Sequence, residues 1–460
     1  MLMNKKKKTK WIILIFLTAI IGVLLIGALT TAFGEGDIDI MSLDRSVLGL
    51  LTVFLVIVLI LLGALLCVII FGKNDNETIH ANIVAEQFSV GASKKAEDDQ
   101  VSERFCMLKE IDNKKREYGH AKYDNGVTLE GLCENFRNYA ANKLKLYYEI
   151  DDIRRFVAGM SVSRILILQG MSGTGKTSLA HAFGSYIDNP STVIPVQPMW
   201  KERTDLIGYY NEFTKRFNET LLLRKMYEAN YSKDMYITVL DEMNIARVEY
   251  YFAEFLSRLE LPDPNERYLD VVSDKWETDP VQLKDGRIRL PKNMWLIGTA
   301  NNDDSTFSIS DKVYDRAMVL DLDKKSERFA APATKKLHIS AEQFEMLVEG
   351  ALKEHEISRR NQKRLEALDA YLIEHFHTTF GNRIMKQIRT YIPVYISCGG
   401  DELCALDDIL SKKVIRKLET QNPIYLRNSA EGLINYIDEL FGKDKMPICK
   451  EHIRRIERNA

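Results

Sequence analysis

Between Ile165 and Ser178 the chain reads ILILQGMSGTGKTS, and no other stretch limits the possible folds so sharply. The four apolar residues Ile165, Leu166, Ile167 and Leu168 suit a buried strand, because a strand covered on both faces is hydrophobic without alternation. They run into Gly170-x-x-x-x-Gly175-Lys176-Thr177, the spacing of a phosphate-binding loop. Glycines let the backbone fold tightly there, so that successive N–H groups point inward at phosphate oxygens. The candidate cradle comprises Gly170, Ser172, Gly173, Thr174, Gly175, Lys176, Thr177 and Ser178. In such a loop Lys176 reaches the β- and γ-phosphates and the Thr177 hydroxyl takes a Mg²⁺ ligand position. Downstream, Leu179, Ala180, Phe183 and Ile187 share one helix face, which anchors a positive helix N-terminus beneath the phosphates.

Strands and helices alternate from Ile165 onward, which implies an α/β domain with a parallel sheet and helices on both faces. Thr192–Val196 is a short strand. Met235–Leu240 is apolar and ends in Asp241-Glu242. Arg247–Leu261 has the spacing of an amphipathic helix, and Val281–Leu290 holds Asp285-Gly286, a hairpin signal. Met294–Ala300 is another buried strand. Past Lys324 the pattern is helical: 341–351, 359–375, 383–395, 406–418 and 430–440. That change of period marks a helical lid domain over 325–460, after an α/β domain over 126–324 with a helical lead-in.

The N-terminal part reads differently. Residues 11–33 and 48–71 are uncharged runs of 23 and 24 residues. As helices they are about 34 and 36 Å long, enough to cross the hydrocarbon core. Residues 1–72 are therefore expected to be a two-span membrane anchor. The lysines before residue 11 would keep the N-terminus cytoplasmic, and the short acidic loop would face outward. The large domain then returns to the cytoplasm of a cell-membrane protein. A cleaved signal peptide ending near Ala32 is one alternative; two buried core helices are another. Residues 73–125 are polar and charged, the composition of a linker, with helical spacing around 101–118.

Residues 1–72 carry net charge +2 and the remainder −4, so the cytoplasmic part has no overall pull on nucleic acid. A local basic face stays compatible with that balance. None of the six cysteines forms a C-x-x-C pair, and they read as free thiols in a reducing compartment. The eight histidines show no metal spacing.

Polar residues follow the apolar strands where an open parallel sheet forms its ligand crevice. Asp241 would hold Mg²⁺ through its water shell, and Glu242 would accept a proton from the attacking water. Asn301, after WLIGTA, would orient that water; Asn302 is one position off. Arg316, in Asp315-Arg316-Ala317, suits a cation donated to a neighbouring subunit. Arg383, after Gly381-Asn382, would close onto the γ-phosphate from the lid, or is simply an exposed arginine at a helix start.

In order along the chain, QGMSGTGKTSLA, VQPMWKERTDLIGYYNEFTKRF, VLDEMNIARVEYYFAEFLSRLE, WLIGTANNDDSTFSISDKVYDRAMVLDL and FGNRIMKQIRTYI resemble the AAA+ ATPases. The likeness is to the dynein-related branch that includes the MoxR and McrB types, and it covers about Leu129–Leu440. It implies a P-loop NTPase fold in an oligomeric, usually hexameric, ring with nucleotide at subunit boundaries. On that pattern Lys176 is the Walker A lysine, Asp241 and Glu242 are Walker B, Asn301 is sensor 1, Arg316 the finger and Arg383 sensor 2. Trp200, Tyr209 and Tyr210 fall in a helix-2 insertion, which in related rings faces the pore; packing in the core suits them equally.

The leading expectation is therefore a membrane-anchored, Mg²⁺-dependent ATPase ring that remodels or assembles an unknown protein partner. ATP is favoured and GTP is possible, since the loop touches only phosphates. Two alternatives are a McrB-like GTP-dependent DNA motor of restriction type and a nucleotide-switched scaffold with little turnover.

Overall fold

The apolar run at Ile165 becomes a central strand of a five-stranded parallel sheet in the structure, a computed structural model that describes residues 103–120, 122–301, 306–324 and 326–459. Both expected membrane spans lie outside the described residues, as does Asn302. Among the described residues no helix is long and apolar enough to cross a membrane.

The described chain opens with α1 (Met107–Asn113), α2 (Leu129–Leu144) and α3 (Ile150–Val162). Strand β1 (Ile165–Gly170) and helix α4 (Lys176–Tyr186) flank the glycine loop. Next come β2 (Thr192–Pro195), α5 (Arg203–Ile207), a hairpin of β3 (Gly208–Asn211) and β4 (Arg216–Glu219), and α6 (Leu221–Ala229). Strand β5 (Tyr236–Asp241) leads to α7 (Val248–Tyr251) and α8 (Ala253–Leu259). A small antiparallel sheet of β6 (Tyr268–Asp270), β7 (Leu283–Lys284) and β8 (Arg287–Arg289) precedes β9 (Met294–Asn301), α9 (Asp311–Tyr314) and β10 (Met318–Asp321). The helical region holds α10 (Ala341–Glu354), α11 (Arg359–Phe376), α12 (Gly381–Ser397), α13 (Glu402–Lys413), α14 (Pro423–Phe441) and α15 (Pro447–Asn459).

The sheet order is β10-β1-β9-β5-β2, and every pair is parallel. β1 is buried at every position, as its unbroken apolar sequence requires. β9 lies between β1 and β5, with Gly170 opposite Asn301 and Leu240 opposite Gly298. Gly298 is a packing requirement: a Cβ there would sit 1.9 Å from Met243 Sδ. The turn after Asp241 therefore presses directly on the neighbouring strand.

Several expectations are confirmed and others corrected. Asp285 and Gly286 turn the β7–β8 hairpin with φ of 49° and 73°, the two positive values of a type I′ turn. The helix expected over 247–261 is broken at Phe252 (φ −105°, ψ 2°) into α7 and α8. The β3–β4 hairpin and α15 were not anticipated. Residues 104–112, expected in the linker, are part of the folded core. Phe105, Leu108 and Ile111 are buried, Phe105 stacks on Phe217 at 4.9 Å, and Arg104 pairs with Asp274 and Asp279.

The helical region is not packed as a separate lid either. One apolar core runs continuously from α2, α3 and α4 (Phe136, Phe156, Phe183) into α12 and α13 (Tyr391, Ile409). Polar ties reinforce it: Arg154 Nε donates to Cys398 O at 3.0 Å, and buried Lys413 donates to Tyr314 O at 2.7 Å and Ala317 O at 2.5 Å. A second core on the other face joins α1, α6, α8 and the small sheet. Among the described residues the five cysteines are free thiols.

Candidate active site

At the carboxyl edge of the sheet, the loop from Gly170 to Gly175 wraps in left-handed conformations that L side chains avoid. Gly170, Gly173 and Gly175 have φ of 142°, 77° and 94°. A Cβ on Gly170 would lie 2.5 Å from Leu322 O, so the loop's base touches the chain leaving β10. Tyr148, just before α3, donates its hydroxyl to Gly175 O at 3.1 Å, and burial pushes that phenol's pKa up. Thr174 Oγ1 donates to Met171 O at 2.9 Å and closes the turn. Lys176 Nζ folds over the loop, donating to Gly170 O at 3.0 Å and Met171 O at 2.8 Å. Lys176, Thr177 and Ser178 form the first turn of α4, whose N-terminus points at the cradle.

The two expected Mg²⁺ ligands meet. Thr177 Oγ1 donates to Asp241 Oδ1 at 2.7 Å. This hydroxyl and carboxylate form an all-oxygen donor set, the kind a hard Mg²⁺ ion takes, and each now fills the other's bonding capacity. The residues present therefore fit the ion. Asp241 Oδ1 also accepts from Thr299 Oγ1 at 2.8 Å, and Thr299 Oγ1 in turn accepts the Glu242 N–H at 2.8 Å. Glu242 is exposed at φ 52°, ψ 47°, a left-handed conformation that carries a strain cost in a residue other than glycine. Thr299 secures that bend from the strand between β1 and β5.

Asn301 ends β9 directly beside Gly170. Its backbone is clamped by buried Asn244, whose Nδ2 donates to Asn301 O at 2.9 Å and whose Oδ1 accepts the Asn301 N–H at 3.3 Å. Asn244 Nδ2 also donates to Phe307 O at 3.2 Å and so spans both ends of the loop after β9. Sequence reasoning missed Tyr148, Asn244 and Thr299. Thr299 had a faint signal, since it lies two residues before Asn301 on the same strand face. Tyr148 and Asn244 had none, because their partners come from other elements.

The two candidate arginines lie elsewhere. Arg316 precedes β10, and Ser163 Oγ, just before β1, donates to Arg316 O at 2.8 Å. That is the amino edge of the parallel sheet. β1 has 6 residues and spans roughly 20 Å from this edge to the phosphate loop. Arg316 Nη2 donates to Glu260 Oε2 at 2.7 Å and Nη1 to Lys312 O at 2.7 Å, while its buried Nε has no hydrogen-bond partner among the described residues. Arg383, expected over the γ-phosphate, instead pairs with the other oxygen of Glu260. Helix α12 docks with Gln387 Nε2 donating to Asp315 O at 3.1 Å, which sets Arg383 beside Arg316, on the same glutamate. Both arginines line a cavity of about 560 Å³ that also holds Arg164, Arg267, Lys292 and Lys386. Of the insertion aromatics, Trp200 packs edge-on to Tyr251 at 5.5 Å and Tyr210 on Trp276 at 6.1 Å, whereas Tyr209 is half exposed.

Residues 165–317 match the family model described as AAA domain (dynein-related subfamily). Residues 335–460 match a domain of unknown function (DUF8727). No curated protein matches the chain. Among solved structures, a full-length MCM homolog from Methanopyrus kandleri is similar over 66% of this chain and 58% of that chain, at 11% identity and a TM-score of 0.32. The chain thus spans less than two thirds of that protein's length. The matched residues 165–317 hold the glycine loop and all but one strand of the parallel sheet, and a helical region follows them.

Proposed function

We propose that this chain is an ATP-hydrolysing subunit of an oligomeric ring, anchored in the cell membrane by residues 11–33 and 48–71, that remodels or assembles a protein partner. The observation that carries the reading is the meeting of Thr177 Oγ1 and Asp241 Oδ1 at 2.7 Å, beneath a glycine cradle and beside Asn301. A sheet that brings a hydroxyl, a carboxylate, an adjacent glutamate and an amide to one phosphate loop has the parts for phosphoryl transfer to water.

In this reading Lys176 leaves its loop carbonyls for the β- and γ-phosphate oxygens. Thr177 and Asp241 hold Mg²⁺, which when bound neutralises charge on those oxygens. Glu242 accepts a proton from the attacking water as the water oxygen bonds to the γ-phosphorus and the bond to the ADP oxygen breaks. Asn301 orients that water. Arg316 cannot reach its own loop across the sheet. Its place, and that of Arg383, support donation to a nucleotide on an adjacent copy. The cations around Glu260 and Glu345 make that hollow suited to a neighbour's polyphosphate.

The test compares three forms of the full chain. Lys176→Ala should lose nucleotide binding, Glu242→Gln should bind without turnover and hold the ring together, and wild type should hydrolyse. Equal turnover in all three overturns the reading. Competition between ATP and GTP, with filter binding to DNA, separates it from a GTP-driven DNA motor. Resistance of the chain to alkaline extraction from membranes tests the anchor.

A further inference from the structure

Three segments far apart in sequence converge at the end of the phosphate-loop helix. Helix α4 stops at Tyr186, and the chain bends at Asp188 with φ 54°. His120 arrives from the segment before α2. His338 arrives from the stretch before α10, where the Leu337 N–H donates to Tyr186 O at 2.8 Å. Asp124 holds His338 by both backbone groups: its Oδ2 accepts the His338 N–H at 2.8 Å, and its own N–H donates to His338 O at 2.7 Å.

Asp188 Oδ2 is hydrogen-bonded to His120 Nε2 at 3.3 Å and stands 3.5 Å from His338 Nδ1, and one ligand atom from each of the three residues lies within 4.8 Å of the others. Zinc bonds of about 2.0–2.1 Å in a tetrahedron put neighbouring ligand atoms about 3.4 Å apart. The spacing therefore suits an ion between them. Hydrogen bonds account for His120 and Asp188 but not for His338, whose Nδ1 is buried and has no hydrogen-bond partner among the described residues, a costly arrangement for a ring nitrogen. The other polar groups stand where supports of a metal-bound imidazole and carboxylate belong. His120 Nδ1 lies 3.1 Å from Asp234 Oδ1, which also accepts the Tyr123 hydroxyl at 2.9 Å. Lys336 Nζ donates to the second Asp188 oxygen at 2.6 Å and leaves Oδ2 turned toward the two rings.

We propose that His120 Nε2, Asp188 Oδ2 and His338 Nδ1 bind a divalent ion of the zinc class, with the fourth position open to water. Two imidazoles and one carboxylate select such an ion over Mg²⁺, so this centre is chemically separate from the Thr177–Asp241 pair. The ion cross-links the lead-in segment, the end of α4 and the approach to the helical region. Its ligands escape sequence inspection because the nearest two, His120 and Asp188, are 68 residues apart.

The test is Co²⁺ titration of the chelator-stripped full chain without nucleotide. One Co²⁺ per chain, with the visible absorption of tetrahedral coordination, displacement by Zn²⁺ and a rise in Tm, is the expected result. His338→Gln and Asp188→Asn should each weaken binding by more than the roughly 10–100-fold that loss of a supporting group costs. Asparagine keeps the left-handed bend at 188 and the shape of a hydrogen-bonded cluster, so that variant separates metal binding from folding. Asp241→Asn should leave the Co²⁺ signal intact. Absence of the absorption, or equal Co²⁺ affinity in wild type and in folded Asp188→Asn and His338→Gln, overturns the site.

Discussion

The Thr299 hydroxyl donates to Asp241 Oδ1 at 2.8 Å and in the same position accepts the Glu242 N–H, so one side chain holds both acidic residues of the site. Replacing it separates their orientation from their presence. Thr299→Val keeps the shape but loses both bonds. We expect kcat to fall by roughly 10–100-fold, the loss typical of a supporting group, with nucleotide affinity nearly unchanged. Thr299→Ser should restore most of the rate. Steady-state turnover beside fluorescent-nucleotide binding checks this, and a parallel loss of affinity would point to a collapsed loop instead.

Mixed assemblies test the arginine at the far edge. Arg316→Ala subunits keep their phosphate loops, and Lys176→Ala subunits keep their arginines. Each alone should be nearly inactive, since a trans-acting arginine is worth ~10³–10⁵ in rate. Mixing them should recover activity at junctions where an intact Arg316 faces an intact loop. Activity that stays at the level of the separate variants at every mixing ratio means that Arg316 does not act between subunits.

Close packing behind the site gives a stability prediction. Gly298→Ala forces a methyl against Met243 Sδ, only 1.9 Å from where the new Cβ would stand, and overpacking of this kind costs about 1–3 kcal/mol. Because Met243 follows Glu242, turnover should fall as well. Met243→Ala in the same chain should recover part of the lost stability, a coupling measurable by urea unfolding of the four variants.

His452 supplies a pH dependence. It is buried between Ser411 Oγ at 2.9 Å and Glu419 Oε1 at 2.8 Å, and burial holds its pKa below the ordinary value. The fold therefore favours the neutral ring, and the unfolded chain binds the proton first. Stability is complete above an unfolded value of about 6.5 and declines as pH falls below it. Thermal melts of wild type and His452→Gln from pH 7.5 to 5 should diverge in slope, with the variant flatter in the acid range. Parallel slopes would assign the effect to other groups.

Much of the phosphate site was legible because its parts are local. Gly170 through Ser178 is one strand–turn–helix, Asp241 and Asn301 each end an apolar strand, and Glu242 follows Asp241 directly, so alternation of elements is enough to bring them to one sheet edge. The pairing of Arg383 with Glu260 is not legible, for the opposite reason. Its position depends on how α12 docks, through Gln387 on Asp315, and no local pattern carries that. The folded segment at 104–112 has the composition of a linker with some helix, because its buried residues are few and its charges many. Arg104 is buried only by virtue of Asp274 and Asp279, some 170 and 175 residues downstream.

By itself the amino-acid order determined a parallel α/β domain with a nucleotide-phosphate loop, two strand-end acids and a helical C-terminal region, since each follows from hydrophobic period and turn chemistry within a few residues. Tertiary structure alone decided that Thr299 braces Asp241 and Glu242, that Arg316 and Arg383 share Glu260 across the sheet from their own loop, and that His120, Asp188 and His338 meet. Those relations are contacts between elements whose separation along the chain leaves no periodic trace, and only the packing of one element against another brings the atoms together.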